Sequence, residues 1–292
     1  MNQPAIAPIY ERTRILVGDG GIARLATARV LVAGLGGVGS YAAEALARAG
    51  VGDLTLVDHD VVAGSNLNRQ LVALESTLGV PKARVMAGRI RDINPGCRLN
   101  LIECFLEPDA VSELLSAGFH QVIDAIDSLS SKVELIATAL GQGVPIVSSM
   151  GAGGRLDPTR VRVGDLMDTS VCPLARAVRG RLRRRGIGRG LTVVWSDEPP
   201  LAPLPPEETG RGRPRAVNGT VSYMPALFGL TLAGIVVHRI LSQAGDTSRG
   251  NQSAPADGLV PLGSDRAPTR DLGPDDRTGR VPRGGGRHPG PG

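Results

Sequence analysis

Aromatic residues are scarce in this sequence: they make up 2% of 292 residues, with a single Trp. Val, Ile, Leu and Ala must therefore fill any core, and a hydrophobic content of 41% supplies enough of them. The same scarcity argues against an RNA-binding module that stacks bases on rings. Only three cysteines occur, Cys97, Cys104 and Cys172, and no Cys-x-x-Cys pair is among them. The usual structural zinc spacing is thus missing and no zinc is expected. So few thiols also fit a reducing, cytoplasmic compartment. Residues 1–8 lack a basic start followed by an apolar core, so they do not read as a secretory signal. The apolar run over residues 226–241 is too short for a membrane span and reads as a buried core helix. No membrane association is expected.

One stretch organises what is present. Arg29-Val-Leu-Val-Ala-Gly34-Leu-Gly36-Gly37-Val-Gly39 is followed by Leu54-Thr-Leu-Val-Asp58-His-Asp60. The order is strand, glycine turn, Ala-rich helix, strand, acidic end. Gly34 suits a tight turn, Gly36 and Gly37 let backbone approach a phosphate, and Gly39 lets the helix sit close on the strand. The helix N-terminus would face an anion. Asp58, ending the second strand about 20 residues on, can accept hydrogen bonds from ribose hydroxyls. A tight turn with no ligand is the bland alternative.

The residues that follow decide which nucleotide. Asn66, Asn68, Arg69 and Gln70 come at once, and Lys82 a little later. Arg69 can hold phosphate bidentately and Lys82 as a point charge. Val122-Ile-Asp124-Ala-Ile-Asp127 is an apolar strand with acids at its end, where ligands of such sheets sit. Asp127 could bind Mg²⁺ bridging phosphates. Two cations and an acid around a glycine loop suit ATP better than a nicotinamide cofactor.

Strands and helices alternate as far as about residue 150: helices over 40–48, 81–94, 108–117 and 130–142, strands over 30–33, 54–58, 97–105, 121–125 and 144–149. That alternation predicts an α/β fold, a Rossmann-like, mostly parallel sheet with helices on both faces. Beyond it, residues 161–166 read as a strand, antiparallel at the edge, and 191–195 as another, so the C-terminal part extends the sheet in antiparallel fashion. Residues 173–185 read as a helix carrying Arg176, Arg179, Arg181, Arg183, Arg184 and Arg185, with Arg189 after it and no acid between Asp168 and Asp197. Such a run reads as a phosphate-backbone patch rather than a mixed-sign solvated face. Residues 197–217 read as a Pro-rich loop. From residue 245 the chain is Gly, Pro, Asp, Arg and Ser without apolar periodicity, which predicts a disordered tail over 245–292. The folded part is then 10–244, with a nucleotide core at 29–150 and a substrate part at 151–244.

The glycine turn, Asp58-x-Asp60 with Ser65-Asn-Leu-Asn-Arg-Gln70, Pro-Lys82 and Asp-Ala-Ile-Asp127 together resemble the adenylating family of ThiF, MoeB and the ubiquitin-activating enzymes. Gly151-Ala-Gly-Gly154-Arg-Leu-Asp157-Pro-Thr159, Asp165, Thr169, Pro173-Leu-Ala-Arg176 and Trp195-Ser-Asp-Glu198-Pro-Pro resemble its tRNA threonylcarbamoyladenosine dehydratase branch, over roughly residues 11–242. One departure is Cys172, which stands where that branch has an acid.

The resemblance implies ATP bound on Gly34, Gly36, Gly37, Gly39, Asp58, Asp60, Asn66, Asn68, Arg69, Gln70, Lys82 and Asp127, with Mg²⁺ at Asp127. It implies a homodimer in which an arginine of the lead-in segment reaches the other subunit's nucleotide; Arg14 fits by spacing and Arg12 remains open. Arg14, Arg69, Lys82 and Asp127 are then the catalytic set, and the arginine-rich helix contacts tRNA. The implied reaction is ATP-dependent cyclisation of threonylcarbamoyladenosine beside the anticodon, through an acyl adenylate. Two alternatives stand: activation of the C-terminal Gly-Gly of a ubiquitin-like carrier, which usually comes with zinc cysteines, and a silent nucleotide-binding scaffold. No partner that relays sulfur or electrons is identified. Ring closure from an acyl adenylate requires no thioester, so none of the three cysteines is expected to be a nucleophile; Cys172, before a basic helix, is the one candidate.

Overall fold

The computed structural model describes residues 7–207 and 215–242. A 17-residue helix, α1 (Glu11–Thr27), leads in and bends at Gly18, whose φ is 67°. Strand β1 (Arg29–Ala33) then passes through the glycine turn to α2 (Gly39–Ala49) and β2 (Asp53–Val57). A long crossover follows to α3 (Lys82–Ile93), β3 (Arg98–Ile102), α4 (Pro108–Ser116), β4 (Gln121–Asp124), α5 (Leu129–Gly141) and β5 (Ile146–Ser149). The remainder is β6 (Val161–Asp165), α6 (Pro173–Arg184), β7 (Thr192–Ser196), a hairpin of β8 (Leu204–Glu207) and β9 (Arg215–Val217), and α7 (Tyr223–Ser242).

The strand order is β3-β2-β1-β4-β5-β7-β6. All neighbours are parallel except β6, which runs antiparallel to β7 at the edge, Val161 opposite Ser196. The expected parallel core with an antiparallel extension is therefore present. Its cause is visible in β1, where Val30 and Val32 join one core and Leu31 and Ala33 the other. A strand buried on both faces needs continuous apolar sequence, and helices must cover both sides. Helices α2, α3 and α7, with Leu25 of α1, cover one face; α4, α5 and α6 cover the other.

From β1 the chain steps outward to β2 and β3, then returns to β4 on β1's other side. This reversal opens a crevice above the carboxyl ends of β1 and β4.

Three expectations change. The stretch over 197–217 contains the β8–β9 hairpin, with Leu204 paired to Val217, although its prolines suggest a loop. Prolines are tolerated there because the ribbon is two-stranded and every strand is an edge. The late helix is 20 residues, starting at Tyr223, so it is long and apolar enough to cross a membrane by length and composition. Its face made of Met224, Phe228, Leu232 and Val236 is nonetheless buried in the core, against α2. The strand expected over 97–105 stops at Ile102, which releases Cys104 and Phe105 from the sheet. The expected tail, 245–292, lies outside the described residues.

Candidate active site

Glycine geometry comes first. Gly34 has φ 88°, and a Cβ there would lie 2.7 Å from the Ala125 carbonyl oxygen. A Cβ on Gly39 would lie 1.7 Å from the Gly34 carbonyl oxygen, so no side chain fits. The N-terminus of α2 thus sits directly against the turn, its dipole directed outward. Asp58 braces the same turn: one carboxylate oxygen accepts from Leu35 N at 2.6 Å and the other from Asp60 N at 2.8 Å. The sequence assigns Asp58 to ribose; the structure adds this bracing role.

These groups open onto a pocket of about 580 Å³. It lies in the size range of small-molecule sites. Gly34, Gly36, Gly37, Asp58, Asp60, Asn66, Arg69, Gln70, Lys82 and Asp127 all line it. Two of the nucleotide residues expected from sequence do not. Gly39 stands behind the turn. Asn68 donates to Thr220 O at 2.9 Å and accepts from Arg69 Nη1 at 2.8 Å, outside the lining. Asn66 does line the pocket, yet its Oδ1 accepts from Ala63 N at 3.1 Å and holds the turn.

Arg69 is half-buried, and burial pushes its pKa down, though a guanidinium remains charged. Lys82 opens α3 and is buried, its ammonium 2.9 Å from Asp60 Oδ2. Gln70 is buried, and its Oε1 has no hydrogen-bond partner among the described residues. A glycine cradle with two cations and an amide turned to one cavity fits a polyphosphate.

Asp127 follows β4 and lines the pocket beside Ser128 and Ser131. A carboxylate and hydroxyls are the hard oxygen donors that suit Mg²⁺, so the residues fit that ion. Beneath it lies a network that the sequence did not reveal. Asp124 and Lys132, both fully buried, meet at 2.5 Å, and Ser148 joins them. A signal existed: Lys132 falls on the apolar stripe of α5 with Val133, Ile136 and Ala139, where a cation requires a partner.

The lining continues with Ser149, Met150 and the Gly151–Gly153 loop, with Leu174, Asn218 and Thr220. Arg155, 3% exposed, clasps this loop by donating to Gly151 O at 2.6 Å and Gly153 O at 2.9 Å. Phe105 and His59 form an edge-to-face pair at 5.1 Å on the other flank. Cys104, expected within the strand over 97–105, instead lines the pocket and is exposed. Cys97 and Cys172 are buried in the cores.

The arginine helix has Leu174, in its first turn, on the pocket lining. It is less uniform than its sequence. Arg179 donates to Thr169 O at 2.9 Å and Leu166 O at 3.3 Å, so it clamps the preceding turn. Arg185 pairs with Glu134 at 2.8 Å, and Arg189 pairs with Asp168. Arg181 donates to Ser130 Oγ at 3.2 Å. The expectation of a stretch without counter-charge is thereby corrected, since acids distant in sequence fold onto it. Arg176, Arg183 and Arg184 remain as exposed cations. Arg14 does not line the pocket of its own chain; it pairs with Asp19, whose carboxyl it holds below the usual range.

With this geometry in place, known proteins can be compared. A tRNA threonylcarbamoyladenosine dehydratase from Bacillus subtilis is 38% identical over 239 residues, 80% of this chain and 94% of that one. One from Escherichia coli is 48% identical over 171 residues, covering 59% of this chain and 64% of that one. The crystal structure of the Escherichia coli enzyme TcdA in complex with ATP superposes with a TM-score of 0.74 at 38% identity, covering 82% of this chain and 98% of that one. The sequence profile of the ThiF family matches residues 10–260, and the chain belongs to the ThiF family.

Proposed function

We propose that this chain uses ATP to activate the carboxylate of threonylcarbamoyladenosine in tRNA and so dehydrates it to a cyclised form. The observation that carries the reading is the convergence of the glycine turn, Arg69, Lys82 and Asp127 on one pocket, in a chain whose relatives of matching length bear the dehydratase name. The phosphates lie on the turn and the α2 N-terminus, between Arg69 and Lys82. The substrate carboxylate attacks the α-phosphorus and pyrophosphate leaves. A nitrogen of the same modification then attacks the acyl carbon, AMP departs and the ring closes, with net loss of water. The protein contributes position and fixed charge rather than covalent chemistry. Asp127, with Ser128 and Ser131 beside it, would hold Mg²⁺, which would supply charge neutralisation for the phosphates.

In this reading Arg176, Arg183 and Arg184 are the members of the basic helix that meet tRNA phosphates. The protein works as a cytoplasmic homodimer, and Arg14, with Arg12 as second choice, completes the partner's site. Residues 29–150 form the nucleotide core and 151–244 the substrate part. The carrier-activating alternative is not favoured, because relatives spanning four-fifths of the chain are dehydratases.

The test is mass spectrometry of tRNA nucleosides from a deletion strain, with and without the gene, alongside ATP–pyrophosphate exchange with and without tRNA. Loss of the cyclised nucleoside on deletion and its return on complementation are expected. Unchanged tRNA, with exchange driven by a carrier peptide instead, would sink the reading.

A further inference from the structure

Lys132 and Asp124 lie below the pocket floor and touch no reacting group. Their charges meet at 2.5 Å with 0% exposure on both sides. Two charges taken from water are costly unless each remaining donor and acceptor is matched. Here they are matched closely. Lys132 Nζ also donates to Ser149 O at 2.9 Å and approaches Ser148 Oγ at 3.3 Å. Asp124 Oδ2 accepts from Ser148 Oγ at 2.5 Å, and its Oδ1 from Ile126 N at 3.0 Å.

What the network joins gives it meaning. Ile126 N is the amide of the turn that delivers Asp127. Ser149 ends the neighbouring strand β5, and Ile126 and Ser149 both line the pocket. Ala125, in the same turn, donates its N–H to Ala33 O at 2.8 Å, and its carbonyl packs against Gly34. One buried cation therefore fixes the end of β4, the start of α5 and the end of β5 against the glycine turn. Apolar replacements of similar volume for a buried ion pair are often neutral for stability. The charges are better explained by the geometry they impose.

We propose that the Lys132–Asp124–Ser148 network is the positioning unit for Asp127, setting the direction of its carboxylate relative to the glycine turn so that Mg²⁺ and nucleotide bind in one geometry. This rests on the reading of Asp127 as the cation-binding carboxylate. Lys132 acts through Asp124 and Ile126 and is itself a positioning residue.

The test uses the full chain. Asp124→Asn combined with Lys132→Met removes both charges together, so neither is stranded. Two readouts other than turnover are taken: backbone hydrogen exchange over residues 125–131, and ATP affinity with Mg²⁺ or with a chelator. Faster exchange is expected, with ATP affinity in Mg²⁺ falling about 10-fold or more and affinity in chelator unchanged. A folded double variant with wild-type exchange and wild-type Mg²⁺-dependent affinity overturns the proposal. If that variant does not fold, Ser148→Ala keeps the ion pair and should move both readouts in the same direction to a lesser degree; no movement there overturns it equally. Asp127→Ala separates the two readings. If it binds ATP with Mg²⁺ as the wild type does, the cation assignment fails, and the exchange measurement alone decides the positioning role.

Discussion

Lys82 is tied to Asp60 twice: its backbone N–H donates to Asp60 O at 3.0 Å, and its ammonium lies 2.9 Å from Asp60 Oδ2. The first turn of α3 and the acidic end of β2 thus form one rigid unit, with the cation 5% exposed and facing the pocket. The lysine is pre-organised, so little order remains to be imposed when phosphate arrives.

Lys82→Ala should therefore lower ATP–pyrophosphate exchange by roughly 10²- to 10³-fold while leaving the circular dichroism spectrum unchanged. Asp60→Asn keeps the charge but loosens it, and should cost less. Full exchange activity in Lys82→Ala would remove it from the site.

Gly39→Ala should destabilise the fold by about 1–3 kcal/mol or more, because the added methyl meets backbone oxygen rather than a side chain that can rotate away. The midpoint of urea unfolding reads this directly. Gly64→Ala, where nothing lies within 4 Å, is the control. Equal midpoints for the two variants would contradict the close approach.

The basic helix gives a split prediction. Changing Arg176, Arg183 and Arg184 to Glu should weaken tRNA binding and reduce the slope of log affinity against log salt by about 2–3, at somewhat under one per phosphate contact. Arg179→Glu should instead lower the melting temperature, since that guanidinium holds Leu166 and Thr169. Unaltered tRNA affinity in the triple variant would make the patch an ordinary solvated face.

The cysteines should separate by burial. At neutral pH, iodoacetamide should modify Cys104 in the folded protein and leave Cys97 and Cys172 intact. A variant with Cys172→Ala, if folded, should keep its dehydration of modified tRNA; adenylate without cyclised product would put the thiol into the mechanism. Burial also pushes the Cys97 thiol from its ordinary 9.0 up to about 11. The folded state then keeps a proton that the unfolded chain loses, so this contribution to stability is present below pH 9.0 and lost as pH rises through about 11. The melting-temperature advantage of wild type over Cys97→Ala should shrink across that window. A constant difference would show the thiol is not perturbed.

Local pattern was enough to read the glycine turn, the parallel core and the cations at Arg69 and Lys82, because each follows from residues close in sequence. What stayed hidden depends on contacts between distant segments. The amide of Asn68 meets Thr220, brought over from the C-terminal part, a contact no local pattern could show. Arg185 looked unopposed until α5 placed Glu134 beside it. Cys104 looked like part of a strand that runs longer than the partner β2 allows; pairing ends with Val57 and Ile102. The hairpin at Leu204 was masked by prolines, whose penalty vanishes where no second neighbour needs their N–H.

Replacing Lys132 or Asp124 alone strands a buried charge at a cost of about 3–5 kcal/mol, a large part of the roughly 5–15 kcal/mol that holds a domain together. A lineage leaving this arrangement by single mutations must cross a descendant that barely folds. The two codons are therefore expected to be inherited as a linked couple, kept together or exchanged together, while the exposed arginines of α6 drift one at a time.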